Sequence, residues 1–326
     1  MNSEHFVRLA LDILKCSQKE LAGKLGVSST QISKWKKGEH MSDDMEKKFR
    51  KITNIGEYSP LLVEWAGSVS NAEKWDRLMH FIADRVHDRA ETGYVTTPLL
   101  DEEGFLCEET IDTLEKMGLS APKSFPVELD INYENTDDEE TEDLWDSISN
   151  NPHSSIIEKI YNSLNDVYGF YAAYVDELIQ DEGLDIYSTD AINIMYSLMS
   201  LAACKIEIDS ATAPNFRQFR YEVEKDYENW LSQLKLLAFR AGIPLRAELL
   251  QMVYDSADDL SVAAEAESLD LNKSRIHPDI YMNEILTGMR IIHQVLPVIM
   301  EKLEITDFEL DESRLTHRKI TEAALS

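Results

Sequence analysis

Cysteine is scarce in this chain: Cys16, Cys107 and Cys204 are the only three in 326 residues. They lie about ninety residues apart, with no CxxC pair and no Cys/His cluster in sequence, so neither a disulfide framework nor a zinc motif is expected and a reducing, cytoplasmic setting is. Long apolar runs are missing too. None approaches the roughly 18 residues that a membrane-crossing helix needs, and the opening MNSEHFVRLALDILK mixes charge into every turn, unlike a secretory leader. No GxxxxGK[ST] loop, HExxH or GxSxG occurs. Catalysis is therefore not expected, and no cofactor or metal is indicated.

What is abundant is negative charge, with a formal net of −29. It is unevenly placed. Residues 1–55 carry 11 Lys and Arg against 7 Asp and Glu, net +4, whereas the remaining residues hold 21 basic against 54 acidic groups, net −33. Exposed charges separated by more than about 8–10 Å are largely screened at physiological salt, so a cationic head can meet a polyanion while the acidic body serves another partner.

Helical periodicity dominates, and the expected fold class is all-α. Four short helices are read in the first 55 residues. The first has Phe6, Leu9, Ala10, Ile13 and Leu14 at helical spacing. Ser17 with Glu20 forms a capping-box pattern that starts a second near Gln18, which buries Leu21, Ala22 and Leu25 and ends at Gly26. Ser28 or Ser29 caps a third, with Ile32 and Trp35 apolar, stopped by Gly38. Ser42 starts a fourth, burying Met45, Phe49 and Ile52.

The stretch SQKELAGKLGVSSTQISKWKKGE resembles the helix-turn-helix of the Cro and phage-repressor type (the XRE family), whose pattern is Q-x-x-L-A-x-x-x-G-V-S-x-x-x-I-S-x-W-x-x-G. The resemblance covers residues 1–55. It implies that Ala22 lets two helices cross closely, that Gly26 makes the turn and that Ile32 anchors the second helix. It also implies double-stranded DNA as the partner. The groove-facing positions fall on Ser28, Ser29, Thr30 and Lys34, with Gln31 and Ser33 beside them, and the phosphate-facing ones on Gln18, Lys36 and Lys37. Lys34 is placed to donate to guanine O6 or N7, and Ser29, Thr30 and Gln31 to exchange hydrogen bonds with base edges. Trp35 is expected in the core. One such unit reads a single half-site, so a homodimer-forming element is expected elsewhere.

Residues 56–135 are read as a small α-rich module. SNAEKWDRLMHFIADRVHDRAETG is a helix with Trp75, Leu78, Met79, Ile82 and Val86 on one side, YVTTPLLDEEGFL a strand pair or extended loop, and CEETIDTLEKMG a helix closed by Gly118. The other side of the first helix carries His80, Asp84 and His87, taken as a solvated polar face rather than a metal site. DDEETEDLWD places seven carboxylates in ten residues, and 136–152 are read as an acidic linker. Residues 153–326 show helix after helix, with TDAINIMYSLMSLAAC apolar nearly all round and so expected at the centre of a bundle. In NFRQFRYEVEK, arginines alternate with aromatics, a pattern that stacks on single strands. Glu222, Glu224 and Asp226 follow at once, so an amphipathic helix is expected instead.

Together these features describe a cytoplasmic, nucleoid-associated transcriptional regulator of repressor type, its acidic helical body dimerising and receiving a small-molecule or protein signal. The alternative is a phage-defence or toxin–antitoxin component whose helical body binds a protein partner and whose DNA binding autoregulates its operon. Self-cleavage is not expected, because that mode uses a Ser and a Lys on a β-rich domain and nothing after residue 150 reads as β-rich.

Overall fold

A computed structural model describes residues 3–133, 138–180, 182–184, 186, 189, 194, 197–243, 245–271 and 282–305. The described residues are mainly helical and contain no strand, so the fold is all-α. Two compact units arise, one of residues 1–243 with 248–275 and one of residues 244–247 with 276–326. No helix among the described residues is long and apolar enough to cross a membrane.

The first unit opens with α1 (Ser3–Leu14), α2 (Gln18–Leu25), α3 (Ser29–Trp35) and α4 (Asp43–Thr53). Their ends follow the caps read in sequence. Ser17 accepts the Glu20 amide while the Glu20 carboxylate accepts the Ser17 amide, a complete capping box, and Gly26 adopts φ 71, the left-handed turn that any Cβ would strain. Ser28 caps α3. Phe49 is fully buried, with its ring 5.8 Å from Phe6 and 6.0 Å, edge-on, from Trp35. Met45 and Ile52, expected beside it, are only half-buried, and Ile13 is exposed.

The body is assembled around α10 (Pro152–Tyr174). It packs against α6 (Val69–His87), α9 (Asp138–Asn150), α12 (Leu198–Lys205) and α15 (Ala257–Ser268). Its centre is apolar but pinned by polar pairs: the Asn165 amide donates to the Val86 carbonyl at 2.8 Å, Ser163 to Ala202 O at 2.9 Å, and the Tyr161 hydroxyl pairs with Thr110 at 2.8 Å. Each such bond satisfies a group that would otherwise be costly to bury. Gly169 has its reason here, since a Cβ would stand 2.5 Å from Thr92. A second cluster stacks Trp75 between Trp65 of α5 (Pro60–Ala66), at 5.2 Å, and Phe125, at 5.1 Å.

Several elements differ from the sequence reading. The segment around YVTTPLL contains a short helix, α7 (Thr97–Leu100), where Pro98 is tolerated because first-turn amides need no partner. The expected acidic linker is largely α9. Leu144 and Ile148, four residues apart, are buried, and Arg89 lies 4.5 Å over the Trp145 ring, so apolar anchoring in the second half outweighs the carboxylate run. The apolar TDAINIMYSLMSLAAC segment supplies α12, buried on most sides between α10 and two further helices as its all-round apolar pattern leads one to expect, and much of its first half lies outside the described residues. The amphipathic helix expected at NFRQFRYEVEK is α13 (Phe216–Ala241), with Phe219 buried, Tyr221 exposed and Arg220 paired to Glu224 at 2.8 Å. The middle and C-terminal stretches share one core through α6 and α10.

The second unit carries α16 (Met282–Lys302), with Pro297 inside it.

Candidate nucleic-acid interface

The helix-turn-helix geometry comes from residues that are buried and capped, which leaves one face of α3 for outside contact. Ile32 is fully buried, Trp35 is 5 % exposed and Ala22 is buried where α2 meets α3. The Trp35 indole N–H donates to the His40 carbonyl at 3.1 Å, and its own carbonyl accepts from Ser3 at 3.2 Å, so Trp35 belongs to the core. The opposite face presents Ser29, Thr30, Ser33, Lys34, Lys36 and Lys37, all exposed.

Each expected contact residue has a definite local state. Gln18 is the first residue of α2, and its Oε1 accepts from the Ser33 hydroxyl at 3.5 Å, which ties the start of α2 to the outer face of α3. Ser33 also donates to the Ser29 carbonyl at 3.1 Å. The Ser28 oxygen accepts the Gln31 amide at 3.1 Å, so one of its two lone pairs is committed to the cap and its position is fixed by the helix end. Gln31 is half-buried. Lys34 Nζ reaches Glu39 at 3.2 Å. An exposed pair of this kind is worth about 0–1 kcal/mol, so it orders the lysine without withholding it from a stronger acceptor. Glu20 lies in the first turn of α2, and hydrogen bonds from the Ser17 backbone and side chain hold its carboxyl below the usual range.

The head is not loosely tethered. α1 packs against α5, His5 Nδ1 lies 2.7 Å from Glu64, and Arg8 lies 3.6 Å from the same carboxylate. No family profile, curated protein or solved structure matches this chain.

Two further features of the body bear on function. His80, its side chain 41 % exposed, lies on the polar face as expected but is held there: its Nε2 is 2.9 Å from Asp101 and its Nδ1 2.8 Å from the Asp76 carbonyl oxygen, and these partners raise its pKa to about 9, chiefly through Asp101. Asp84 remains exposed as expected, while His87 lies half-buried 3.8 Å from Asp88. Between α8 (Leu106–Met117), α12 and α13, a cavity of about 480 Å³ is lined by Glu109, Asp112, Glu222 and Asp226 beside Phe219 and Trp230. Acidic and aromatic walls suit a cationic ligand.

Burial, and then the neighbouring Glu108, Asp101, Asp112 and Glu103, raise the Glu109 carboxyl from 4.5 to about 7. The folded state then holds a proton that the unfolded chain gives up, so the contribution of this group to stability falls as pH rises from 4.5 to 7 and is flat on either side. Glu109→Gln is expected to raise stability at pH 8 by about 2 kcal/mol and to leave it unchanged at pH 4, as read from denaturant melts.

Proposed function

We propose that the protein is a sequence-specific DNA-binding transcriptional regulator that reads an operator through α3. One observation carries the proposal: a complete capping box, a left-handed Gly26 turn and the buried pair Ile32 and Trp35 hold α3 with its polar, lysine-bearing face outward. A surface helix stabilised by so many local devices is rigid enough to be laid into a major groove. Ser29, Thr30 and Lys34 would face base edges, and Gln18, Lys36 and Lys37 the backbone. The net +4 of residues 1–55 favours phosphate, and the net −33 of the rest disfavours wrapping the duplex around the body.

Reading two half-sites needs two copies, and we place the contact between them on α16. Met289, Ile292, Leu296, Ile299 and Leu303 recur at alternating steps of four and three, and all five are exposed, from 44 to 64 %. In sequence the register runs back through Ile285 to Met282. Such a heptad seam is what a coiled-coil partner covers. Pro297 follows an inward position and so lies off the seam. The acidic cavity beside α13 is the place for a signal of cationic, aromatic-compatible chemistry.

The reading is tested by two substitutions assayed on the same set of duplexes. Lys34→Ala is expected to relax preference at one base pair, costing about 1–3 kcal/mol on the preferred sequence only. Lys37→Ala is expected to weaken all sequences alike and to reduce the salt slope by about one. Wild-type behaviour of both variants on every duplex would refute the placement of α3.

A further inference from the structure

Asp76, His80 and Cys107 come together in the body although no sequence motif joins them. Asp76 and His80 are four residues apart on α6 and share a face, and Cys107 is the second residue of α8. Cys107 Sγ lies 3.5 Å from Asp76 Oδ1 and 4.0 Å from His80 Nδ1, and His80 Nδ1 lies 3.7 Å from Asp76 Oδ2. One donor atom from each lies within 4.8 Å of the others.

These separations come within reach of a metal site. Tetrahedral zinc, with bonds of about 2.3 Å to sulfur and about 2.0–2.2 Å to nitrogen and oxygen, sets its ligand atoms roughly 3.3–3.6 Å apart. The closest approaches to Cys107 and His80 use different oxygens of Asp76, and with one donor atom from each residue the set lies within 4.8 Å, so the edges must close by up to about 1.5 Å when an ion binds. The donor set is also apt, because a thiolate with an imidazole and a carboxylate selects zinc over magnesium or calcium, which take oxygen ligands.

The surroundings orient the histidine as a ligand must be oriented. Asp101, only 10 % exposed, accepts the Leu106 amide at 2.9 Å with one oxygen and meets His80 Nε2 at 2.9 Å with the other. A carboxylate on Nε2 fixes the proton there, the outer-shell device that metal-binding histidines use, while Nδ1, which donates to the Asp76 backbone carbonyl at 2.8 Å, lies beside the Asp76 carboxylate and the Cys107 thiol. Asp101 also ends α7 in the left-handed conformation at φ 50, so its position is set by backbone as well as by hydrogen bonds. On the solvent side an open cleft of about 460 Å³ is lined by Asp76, Asp101, Cys107 and Glu108. It gives an ion a route in and leaves a fourth position for water.

We infer that Asp76, His80 and Cys107 form a binding site for one zinc-class divalent ion, oriented by Asp101, with its fourth position open to the cleft. The site is independent of α3, and the inference does not rest on DNA binding. The ion takes the places of the Cys107 thiol proton and the His80 Nδ1 proton, both of which leave to solvent.

Titration of the full chain with Zn²⁺ and, in parallel, with Co²⁺ tests it. The wild type is expected to take up one equivalent, and the cobalt form to show the ligand-field bands of a tetrahedral ion together with a thiolate-to-cobalt charge-transfer band. Cys107→Ser is expected to lose the charge-transfer band, and Asp76→Asn, on the partly exposed side of α6, to weaken uptake while remaining folded by circular dichroism. Asp101→Asn should cut affinity about 10–100-fold with the cobalt spectrum retained. Absence of stoichiometric uptake by the wild type overturns the site, as does an unchanged cobalt spectrum in Cys107→Ser or, should that variant not fold, unchanged affinity in Asp76→Asn. Unchanged affinity in Asp101→Asn overturns the orienting role given to that carboxylate.

Discussion

Replacing Ile292 and Leu296 together by aspartate is expected to turn a dimer into a monomer and to lower operator affinity by about 10²–10⁴-fold with no change in α3. Both side chains stand in the heptad register of α16, 60 % and 45 % exposed, and flank its centre. In a paired helix they become knobs inserted into the facing seam, and two carboxylates there would meet their own copies across the axis. The loss in DNA affinity follows from linkage: once one head is bound, the second binds at an effective concentration set by the body, and a monomer forfeits that gain. Light scattering gives the mass, and titration of a two-half-site duplex gives the affinity. On a duplex with a single half-site, the variant and the wild type should bind alike. A variant that stays dimeric would move the interface elsewhere.

Trp75→Ala is expected to destabilise the first unit by about 3–5 kcal/mol. Trp75 is 1 % exposed and stands edge-on to both Trp65 and Phe125, with His153 at 6.2 Å. Truncation would open a cavity where α5, α6 and the start of α10 meet. Because α5 also carries Glu64, which holds His5 and Arg8 of α1, the damage should reach the head. A single shared transition, lowered by roughly 10 °C, is the expected melting result. Loss below about 1 kcal/mol would mean that this cluster is not central to the core.

The head was legible because its determinants are local. Ser17, Glu20, Gly26, Ser28 and Gly38 act within four residues of themselves, and the structure places them at the helix ends where the sequence puts them. The body was less so. α9 looks like a solvated acidic tract until the burial of Leu144 and Ile148 against the bundle is known, and α7 is one turn long, too short for periodicity to reveal. The His80 cluster was illegible for a different reason. Its partners lie 21 and 27 residues away in sequence, and only the packing of α7 on α6, with the start of α8 following it, brings Asp101 and Cys107 to the histidine. Among the nine residues proposed to contact DNA, the sequence ranked all by position. The structure distinguishes Ser28 as a cap, Gln18 and Ser33 as a linked pair and Lys34 as the partner of Glu39, and presents Ser29 and Thr30 exposed on the outer face.

Recovery of the DNA bound by the intact protein across the genome of its source tests the central claim most directly. The account predicts enrichment at a small set of sites with two-fold symmetry, half-sites about one helical turn apart or a multiple of it, lost when Lys34, Lys36 and Lys37 are changed together to alanine. Recovery no greater than from a control lacking the protein, at low ionic strength and with the chain folded, would contradict it.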